Sequence, residues 1–330
     1  MRRVIGLSLC VFLIVGSAFA GALRRGKVAF WSYDTDNFPY RMWVYVMNAD
    51  GSDVTKLLAR YFEEGGKGFG VNGAVSLSPD CRRAAFYLQT WNGNFLASND
   101  IAVIDLDGHE IVNLTDSKLL SCGGPRWSPS GEQIVFSGRS ELPRKLCIMN
   151  SDGTNIRVIG EGWGPDWSRN GRKIAFVRDR VDIYTMDADG DNVKKIARSP
   201  KASVSSPRWS PDGRKILFST SANNDIGRIY IMDSDGDSLK LIKENAYDAC
   251  WSPDGKKIAF SRADNEDSFW HGGHIWLMNP DGSGLERLTD NERGEFDFDW
   301  RDPAFIGIDL SLDAAKVTWG EVKTQIESDD

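Results

Sequence analysis

The stretch "WSPDGKKIAFSR", Trp251 to Arg262, is followed by "HIWLMNPDGSGLERLT", His274 to Thr289. Apolar and polar residues alternate in both phrases, a pattern typical of half-buried β-strands. Both phrases also contain Asp-Gly, which favours tight turns because glycine adopts positive φ without a steric cost. Each phrase therefore predicts two short antiparallel strands joined by a turn.

The two phrases recur along the chain at a nearly constant period. Trp127, Trp167, Trp209 and Trp251 are separated by 40, 42 and 42 residues. A repeat of about forty residues with four short strands is typical of a propeller blade, which cannot bury both of its faces alone. The first phrase begins at Ser76, Arg126, Asp166, Arg208 and Cys250, and the second begins at Trp43, Ile101, Leu146, Ile183, Ile229 and Ile275.

The two ends of the repeat complement each other. We label the strands of each unit A to D in chain order, with the repeated tryptophan at the end of strand A. The first unit starts with "GKVAFWS", Gly26 to Ser32, which matches strand B, while an unmatched strand A, "FDFDWRDPAF", spans Phe296 to Phe305. We therefore predict an all-β fold, a six-bladed β-propeller of four-stranded antiparallel blades whose ring is closed by the C-terminal strand around Trp300. An open ring or a degenerate seventh blade is the alternative.

The repeated motif also resembles a known family. The sequence Trp-Ser-Pro-Asp-Gly-Lys-Lys-Ile-Ala-Phe, followed by Met-Asn-x-Asp-Gly, is similar to the WD-like repeat of the TolB-type β-propeller family from about Lys27 to Phe305. The resemblance implies the fold more than the function, because binding proteins, peptidase propeller domains and some lyases share this repeat. TolB proteins are periplasmic and bind peptidoglycan-associated lipoprotein through the propeller. Their preceding α/β domain has no counterpart between Ala20 and Lys27.

The N-terminus has the pattern of a signal peptide. "MRR" is positively charged, "VIGLSLCVFLIVG" is apolar but short for a membrane span, and "SAFA" offers Ala18 and Ala20 as a cleavage site. The expected organisation is a signal peptide at 1–20, the propeller at 21–305 and a C-terminal tail at 306–330. Export would place the protein in the periplasm or outside the cell, with a retained anchor as the alternative.

The net charge and the cysteine positions indicate which partners and cross-links to expect. The 330 residues carry a net charge of −7, which disfavours a nucleic-acid partner because such partners need basic surfaces. Cys10 lies in the predicted signal peptide, and the other cysteines fall at unrelated phases of the repeat, as small buried apolar side chains would. The sequence leaves open whether two of them form a disulfide. These cysteines are Cys81, Cys122, Cys147 and Cys250.

The propeller should have two dissimilar faces. The A–B and C–D turns form one face, here the turn face, and we expect it to be uniform from blade to blade. The B–C and D–A connections form the other, here the loop face, which varies and is therefore the expected binding surface. The residues just before each strand-A tryptophan should ring the channel mouth, with mutual charge pairing as the alternative; they are Arg126, Asp166, Arg208, Asp248 and Asp299. The candidate ligand-binding residues are Trp91, Arg126, Trp163, Asp166, Arg208, Tyr247, Asp248, Trp270 and Asp299.

Catalytic and metal motifs are sparse. The chain has no Gly-x-Ser-x-Gly nucleophile elbow. His271 and His274 are weak metal candidates, because a two-histidine site needs further ligands that the sequence does not identify. The sequences that begin at Asp187 and Asp233 resemble calcium-binding loops but lack the glycine at the sixth position. We expect no catalytic residue, no cofactor and no resident metal.

These observations favour a monomeric, exported, non-catalytic scaffold of the cell envelope that binds a protein or peptide and has no stable membrane span. The alternative is a carbohydrate lyase or hydrolase with its site in the channel. Its candidate residues would be His271, His274, Arg126 and Arg208.

Cleavage after Ala20 is directly measurable. When the full chain is expressed in a bacterium with an intact export pathway, the protein recovered from the periplasm or medium should begin at Gly21. N-terminal sequencing or intact mass would report it, and Ala18→Leu should block cleavage, because the site needs small residues. Recovery of the uncleaved chain in membranes would instead support the retained anchor.

Overall fold

The computed structural model describes fourteen segments of the chain, which include all or part of every predicted blade. The predicted signal peptide and C-terminal tail lie outside them. The described residues are 26–34, 41–59, 61–62, 67–71, 74–92, 95–106, 111–116, 121–139, 143–199, 203–205, 207–220, 227–262, 273–289 and 295–305.

Within these segments the secondary structure is almost entirely β. Three strands of blade 1 come first: β1 (Lys27–Asp34), β2 (Arg41–Asn48) and β3 (Thr55–Ala59). Blade 2 contains β4 (Tyr61–Phe62), β5 (Lys67–Val71), β6 (Ser76–Leu77), β7 (Arg83–Asn92), β8 (Phe95–Asp105) and β9 (Ile111–Asn113). Blade 3 contains β10 (Ser121–Trp127), β11 (Gln133–Arg139), β12 (Lys145–Asn150) and β13 (Arg157–Glu161).

Blades 4, 5 and 6 each contain four strands that follow one another in the chain. Blade 4 contains β14 (Trp163–Trp167), β15 (Lys173–Arg178), β16 (Asp182–Asp187) and β17 (Lys194–Arg198). Blade 5 contains β18 (Arg208–Trp209), β19 (Lys215–Thr220), β20 (Arg228–Asp233) and β21 (Lys240–Glu244). Blade 6 contains β22 (Tyr247–Trp251), β23 (Ile258–Arg262), β24 (His274–Met278) and β25 (Glu286–Arg287), and β26 (Glu295–Arg301) and a 3-10 helix (Pro303–Phe305) follow.

Ring closure occurs as predicted. The strand order of blade 1 is β26-β1-β2-β3, so the last strand of the chain pairs with the first. The pairing is antiparallel, with Val28 opposite Trp300 and Lys27 opposite Arg301. The all-β prediction of six antiparallel blades, closed by the strand around Trp300, is therefore confirmed.

One large apolar side chain per blade is buried against the preceding blade. Trp127 packs with Ala85 and Ile101 of blade 2, and Trp300 packs with Ala259 and Ile275 of blade 6. Leu77 takes the equivalent place in blade 2 and packs against blade 1. The prediction that the repeated tryptophans pack between blades is confirmed. Their exposed fractions are Trp127 0%, Trp167 6%, Trp209 9%, Trp251 7% and Trp300 7%.

The A–B turns form by local hydrogen bonding. In blade 6 the Ser252 hydroxyl donates to Asp254 at 2.7 Å, and Asp254 also accepts the backbone N–H of Lys256 at 3.1 Å. Gly255 closes the turn at a φ of 71°. Cys81 takes that glycine's place in blade 2 at a φ of 54°, a conformation that most side chains avoid. The turn chemistry read from the sequence therefore shapes this face.

Strands contribute to the loop face in blade 2. There β5 pairs along the distal half of β7, from Lys67 opposite Asn92 to Val71 opposite Leu88. Blade 2 is therefore extended at its loop-face end. Between blades 3 and 4, by contrast, Gly162 alone separates β13 from β14.

The described cysteines carry free thiols. Cys122 and Cys147 lie in the same apolar cluster, and Cys250 is also buried, as expected of small apolar side chains. Cys81 is half-buried in its turn. In the part of the chain that is described, no helix has the length and apolar character to cross a membrane.

Truncating the inter-blade tryptophans tests the packing. Trp209→Ala and Trp300→Ala should each lower the free energy of unfolding by about 3–5 kcal/mol, because each removes a large buried ring. Chemical denaturation of the two variants and wild type would measure this, with the exposed Val158→Ala as control. A small effect of Trp300→Ala beside a full effect of Trp209→Ala would contradict closure by the last strand.

Candidate functional site

The residues that directly precede the strand-A tryptophans, together with the residue that precedes Leu77, form a ring around the channel. Most members are charged, and all are buried, with exposed fractions of 0% to 7%. Alternation along each innermost strand explains this, because the neighbouring tryptophan or leucine points into a blade interface. The members are Ser76, Arg126, Asp166, Arg208, Cys250 and Asp299.

A second set of channel residues lies two positions earlier, at a β-bulge. Gly124 and Gly164 have φ near 61° there, and Asp248 and Asp297 have φ of 47° and 46°. The strand register shifts at each of these points. Aspartate tolerates this left-handed conformation better than most residues. Asp248 therefore belongs to the bulge, whereas Cys250 occupies the ring position before Trp251.

Several ring charges bind the backbone of a neighbouring blade. Asp299 accepts the N–H of Leu77 at 2.9 Å, and Asp166 accepts the N–H of Trp209 at 2.8 Å. Arg126 donates to the carbonyl of Val75 at 2.8 Å. These bonds tie adjacent innermost strands together, so the side chains are structural parts of the ring as well as channel lining.

The channel aspartates are not all ionised at neutral pH. Burial raises the pKa of Asp166 to about 6, although the Arg126 guanidinium acts in the opposite direction. Burial and the neighbouring Asp297 carboxylate raise the pKa of Asp248 to about 7. Burial also raises the pKa of Asp297. The four channel aspartates meet three channel arginines, and protonation relieves the excess negative charge.

The loop-face end of the channel, here the throat, combines donors with acceptors. Arg208 Nη2 lies 3.7 Å from Asp297 Oδ1, and the Asp297 side chain is 32% exposed. Arg208 Nε and Nη1 have no hydrogen-bond partner among the described residues, although both are buried. Buried guanidinium donors are costly unless satisfied. The throat therefore contains a buried guanidinium with two donors that no described residue satisfies, beside a partly exposed carboxyl that accepts the N–H of Ala74 at 3.2 Å.

The turn-face end of the channel is narrow. Its cavity has a volume of about 80 Å³, room for a few water molecules, and the residues around it include Asp166, Asp299 and Arg301. Arg301 donates to Asp299 at 3.2 Å. Although burial acts in the opposite direction, Asp299 and Asp166 raise the pKa of Arg301. The four prolines that narrow this end are Pro79, Pro129, Pro211 and Pro253.

The four loop-face aromatic candidates are placed differently. Trp163 is half-buried and packs against the cluster that contains Val177 and Ile183. Tyr247 is half-buried, and its ring fills the space that a Cβ at Gly227 would need. Trp91 lies in β7, where only its backbone is described, and Trp270 lies outside the described residues.

The metal candidates lack assembled ligands in what is described. His274 Nε2 lies 2.7 Å from Arg287 Nη2, so an arginine N–H donates to this ring nitrogen. His271 lies outside the described residues. Asp187 is bound by Lys173 Nζ at 2.9 Å, and Asp233 by Lys215 Nζ at 2.9 Å. Among the described side chains, no group of three or more His, Cys, Asp and Glu residues could hold a metal ion.

Sequence reasoning missed four channel residues: Asp297, Arg301, Cys250 and Ser76. The phrase "FDFDWR" held the signal for the first two, because Asp297 and Asp299 alternate on one side of the strand and Arg301 follows Trp300. The bulge at Asp297 could not be read from it, because a bulge depends on pairing with β1.

Sequence comparison finds relatives over parts of the chain. No family model matches it. An uncharacterized protein of Agrobacterium fabrum is 30% identical over 136 residues, 36% of this chain and 46% of that protein. The Tol-Pal system protein TolB of Gluconobacter oxydans is 35% identical over 102 residues, 27% of this chain and 22% of that protein. The matches thus span less than half the length of these curated relatives.

Structural comparison extends the similarity to most of the ring. TolB from Acinetobacter baumannii has a TM-score of 0.67 at 16% identity, covering 91% of this chain and 73% of that chain. A putative TolB from Agrobacterium tumefaciens has a TM-score of 0.58 at 22% identity, covering 84% and 98%. An oligogalacturonate lyase in complex with manganese reaches 0.50 at 14% identity, covering 75% and 72%. The fold is a TolB-like β-propeller.

The raised pKa of Asp248 predicts a pH-dependent stability. Asp248 stays protonated in the folded protein up to about pH 7, whereas in the unfolded chain it ionises near pH ~3.9. The folded state therefore binds more protons between these values, and Asp248 makes the unfolding free energy fall as pH rises through this window. Asp248→Asn should remove that loss and stabilise the protein at pH 8 by at least about 1 kcal/mol.

Urea denaturation at pH 4.5, 6 and 8 would measure the effect. Asp254→Asn is the matched control, because Asn170 already occupies the equivalent position in blade 4 and accepts the Ser168 hydroxyl at 2.9 Å. The control should keep the wild-type slope. An Asp248→Asn variant that is less stable than wild type at pH 8, with an unchanged slope, would show that Asp248 is ionised in the folded state.

Proposed function

We propose that this chain is an exported, non-catalytic scaffold of the cell envelope that binds a protein or peptide partner on its loop face. The observation that carries the proposal is the throat. There Arg208 has buried donors without a described partner, next to the partly exposed carboxyl of Asp297. A ligand that brings both acceptors and donors would satisfy both groups.

A polypeptide fits these requirements better than a uniformly charged polymer does. Its carbonyl groups can accept from Arg208, and its N–H groups or a basic side chain can donate to Asp297. A polyanion would meet the carboxyl groups of Asp248 and Asp297 at the same mouth. The net charge of −7 also disfavours a polyanionic ligand.

The rigid ring supports a binding role. The ring charges are held by inter-blade hydrogen bonds, such as Asp299 to Leu77 N–H at 2.9 Å, so they enter a complex with little loss of conformational entropy. The extension of blade 2 by β5 raises the scaffold on the loop-face side. Aromatic anchors beside such charges are typical of protein recognition. Trp91 and Trp270 are the proposed anchors.

The envelope location rests on two arguments. The predicted signal peptide at 1–20 implies export. A TolB-like propeller is the second argument, because the relative in Gluconobacter oxydans is named as a Tol-Pal system protein. The proposed assembly state is a monomer, because the ring is closed within one chain.

The alternative function is that of a carbohydrate lyase or hydrolase with its site in the channel. The shared fold of the oligogalacturonate lyase keeps it as the competing hypothesis. For His274 to bind a metal through Nε2, Arg287 would first have to release that nitrogen. This requirement makes the enzyme the less favoured function.

Partner capture tests the proposal. Purified mature protein, immobilised, should retain a specific protein from envelope extract of its own source cell. Replacing Trp91 and Trp270 by alanine, or Asp297 by asparagine, should weaken binding of that protein at least tenfold while the melting temperature stays near wild type. The control is Val158→Ser, which changes a 59% exposed residue on the outer strand β13.

Two results would overturn the proposal. If both loop-face variants bind the captured partner as tightly as wild type, the docking face is wrong. If the mature protein cleaves oligogalacturonides in a manganese-dependent reaction that His274→Ala abolishes, the enzyme hypothesis replaces the scaffold.

A further inference from the structure

The turn face is not uniform, contrary to the sequence expectation. A groove with a volume of about 920 Å³ crosses it at blade 4. Its lining comes from the A–B turn of blade 3, from blade 4 and from both turns of blade 5. All its lining residues belong to the described part of the chain. We call it the blade-4 groove.

The groove follows from a departure in the repeat. Four other blades place proline and then aspartate or serine after the A-strand serine, at residues 79–80, 129–130, 211–212 and 253–254. Blade 4 has Arg169 and Asn170 there. Asn170 preserves the turn by accepting the Ser168 hydroxyl and the N–H of Arg172. The turn of blade 4 therefore forms although Arg169 stands where the other four blades have proline.

Cations without an ion-pair partner line this groove. Arg169, Arg172 and Lys194 form no ion pair with a described residue, whereas Lys173 is held by Asp187 at 2.9 Å. Burial, and then the nearby guanidinium of Arg301, lower the pKa of Arg169. A carboxylate placed beside Arg169 would relieve that repulsion.

The rest of the lining has other chemistry. Asp212 and Asp235 of blade 5 also line the groove, as do Trp167, Trp209 and Ile196. A uniformly anionic polymer, such as a polyuronide or a nucleic acid, would meet the two aspartates. The side chains of an extended peptide point alternately to its two sides. Carboxylates on one side can therefore meet the cations, apolar side chains lie on the other side, and backbone N–H groups can donate to the aspartates.

The dimensions suit a short extended segment. The groove reaches from Arg169, beside the innermost strand, to Lys194 on β17, the outermost strand of blade 4. Four strands at ~4.8 Å spacing span ~14 Å. An extended chain advances ~3.3 Å per residue, so roughly four or five residues fill this length.

We propose that the blade-4 groove is a second docking surface, which binds an extended acidic peptide segment of a partner protein. Acidic side chains of the segment pair with Arg169, Arg172 and Lys194, and alternate apolar side chains contact Ile196 and the tryptophan edges. The site lies on the face opposite the throat. It would let the propeller hold one partner on each face.

A model peptide tests the groove directly. Acetyl-Glu-Val-Glu-Val-Glu-amide, labelled for fluorescence anisotropy, should bind the full mature protein, because valine favours the extended form and glutamate supplies the carboxylates. The matched Gln-Val-Gln-Val-Gln and Lys-Val-Lys-Val-Lys peptides should bind at least tenfold more weakly. Raising the salt concentration should weaken binding of the glutamate peptide.

Three variants locate the site. Arg172→Gln combined with Lys194→Gln removes two surface cations and should weaken peptide binding at least tenfold. Arg169→Pro with Asn170→Asp restores the turn of blades 5 and 6 and should have a similar effect without loss of melting temperature. Lys256→Gln is the control, because Lys256 holds the position in blade 6 that Arg172 holds in blade 4.

Each contrary outcome would reject the proposal. It is wrong if the glutamate peptide does not bind, if the glutamine peptide binds equally, or if Arg172→Gln with Lys194→Gln leaves affinity unchanged. Tighter binding of tetragalacturonate than of the peptide, lost in the same variant, would make the groove a carbohydrate site. Loss of peptide binding in Asp297→Asn would place the peptide in the throat.

Discussion

The packing of one large apolar side chain per blade against the preceding blade is the constraint on which this structure depends. Five tryptophans and Leu77 fill the six interfaces, and each apolar cluster combines residues of two adjacent blades. No blade can bury its own faces, so the ring must close to complete the last interface. Pairing of β26 with β1 supplies that closure and also covers two strand edges that would otherwise be exposed.

Closure has an electrostatic consequence in the channel. Alternation along each innermost strand sends the tryptophan into a blade interface and its polar neighbour toward the axis. Charges from different blades therefore meet in a confined space where water screens them poorly. Inter-blade hydrogen bonds satisfy Asp166, Asp299 and part of Arg126. Partial protonation of Asp248 near neutral pH reduces the remaining repulsion. The same groups thus contribute to the stability of the ring and line its channel.

The two proposed binding faces are built in different ways. On the loop face, strand ends and insertions build the surface, as in the pairing of β5 with the end of β7. On the turn face, blades 2, 3, 5 and 6 share a proline after the strand-A serine, and Arg169 stands in its place in blade 4. Arg169 adds a cation to the lining of the blade-4 groove. A repeated fold can therefore acquire a distinct local surface where one copy departs from the repeat.

The sequence by itself determined the blade count, the strand order and the closing strand around Trp300, because alternation and turn residues act over a few neighbouring positions. It also identified Arg126, Asp166, Arg208 and Asp299 as channel residues, since their offset from the tryptophan sets their direction. The bulge at Asp248, the contact of His274 with Arg287 and the groove at Arg169 could be found only from the tertiary structure. These features depend on which residues of different strands and blades meet, and no local pattern specifies that meeting.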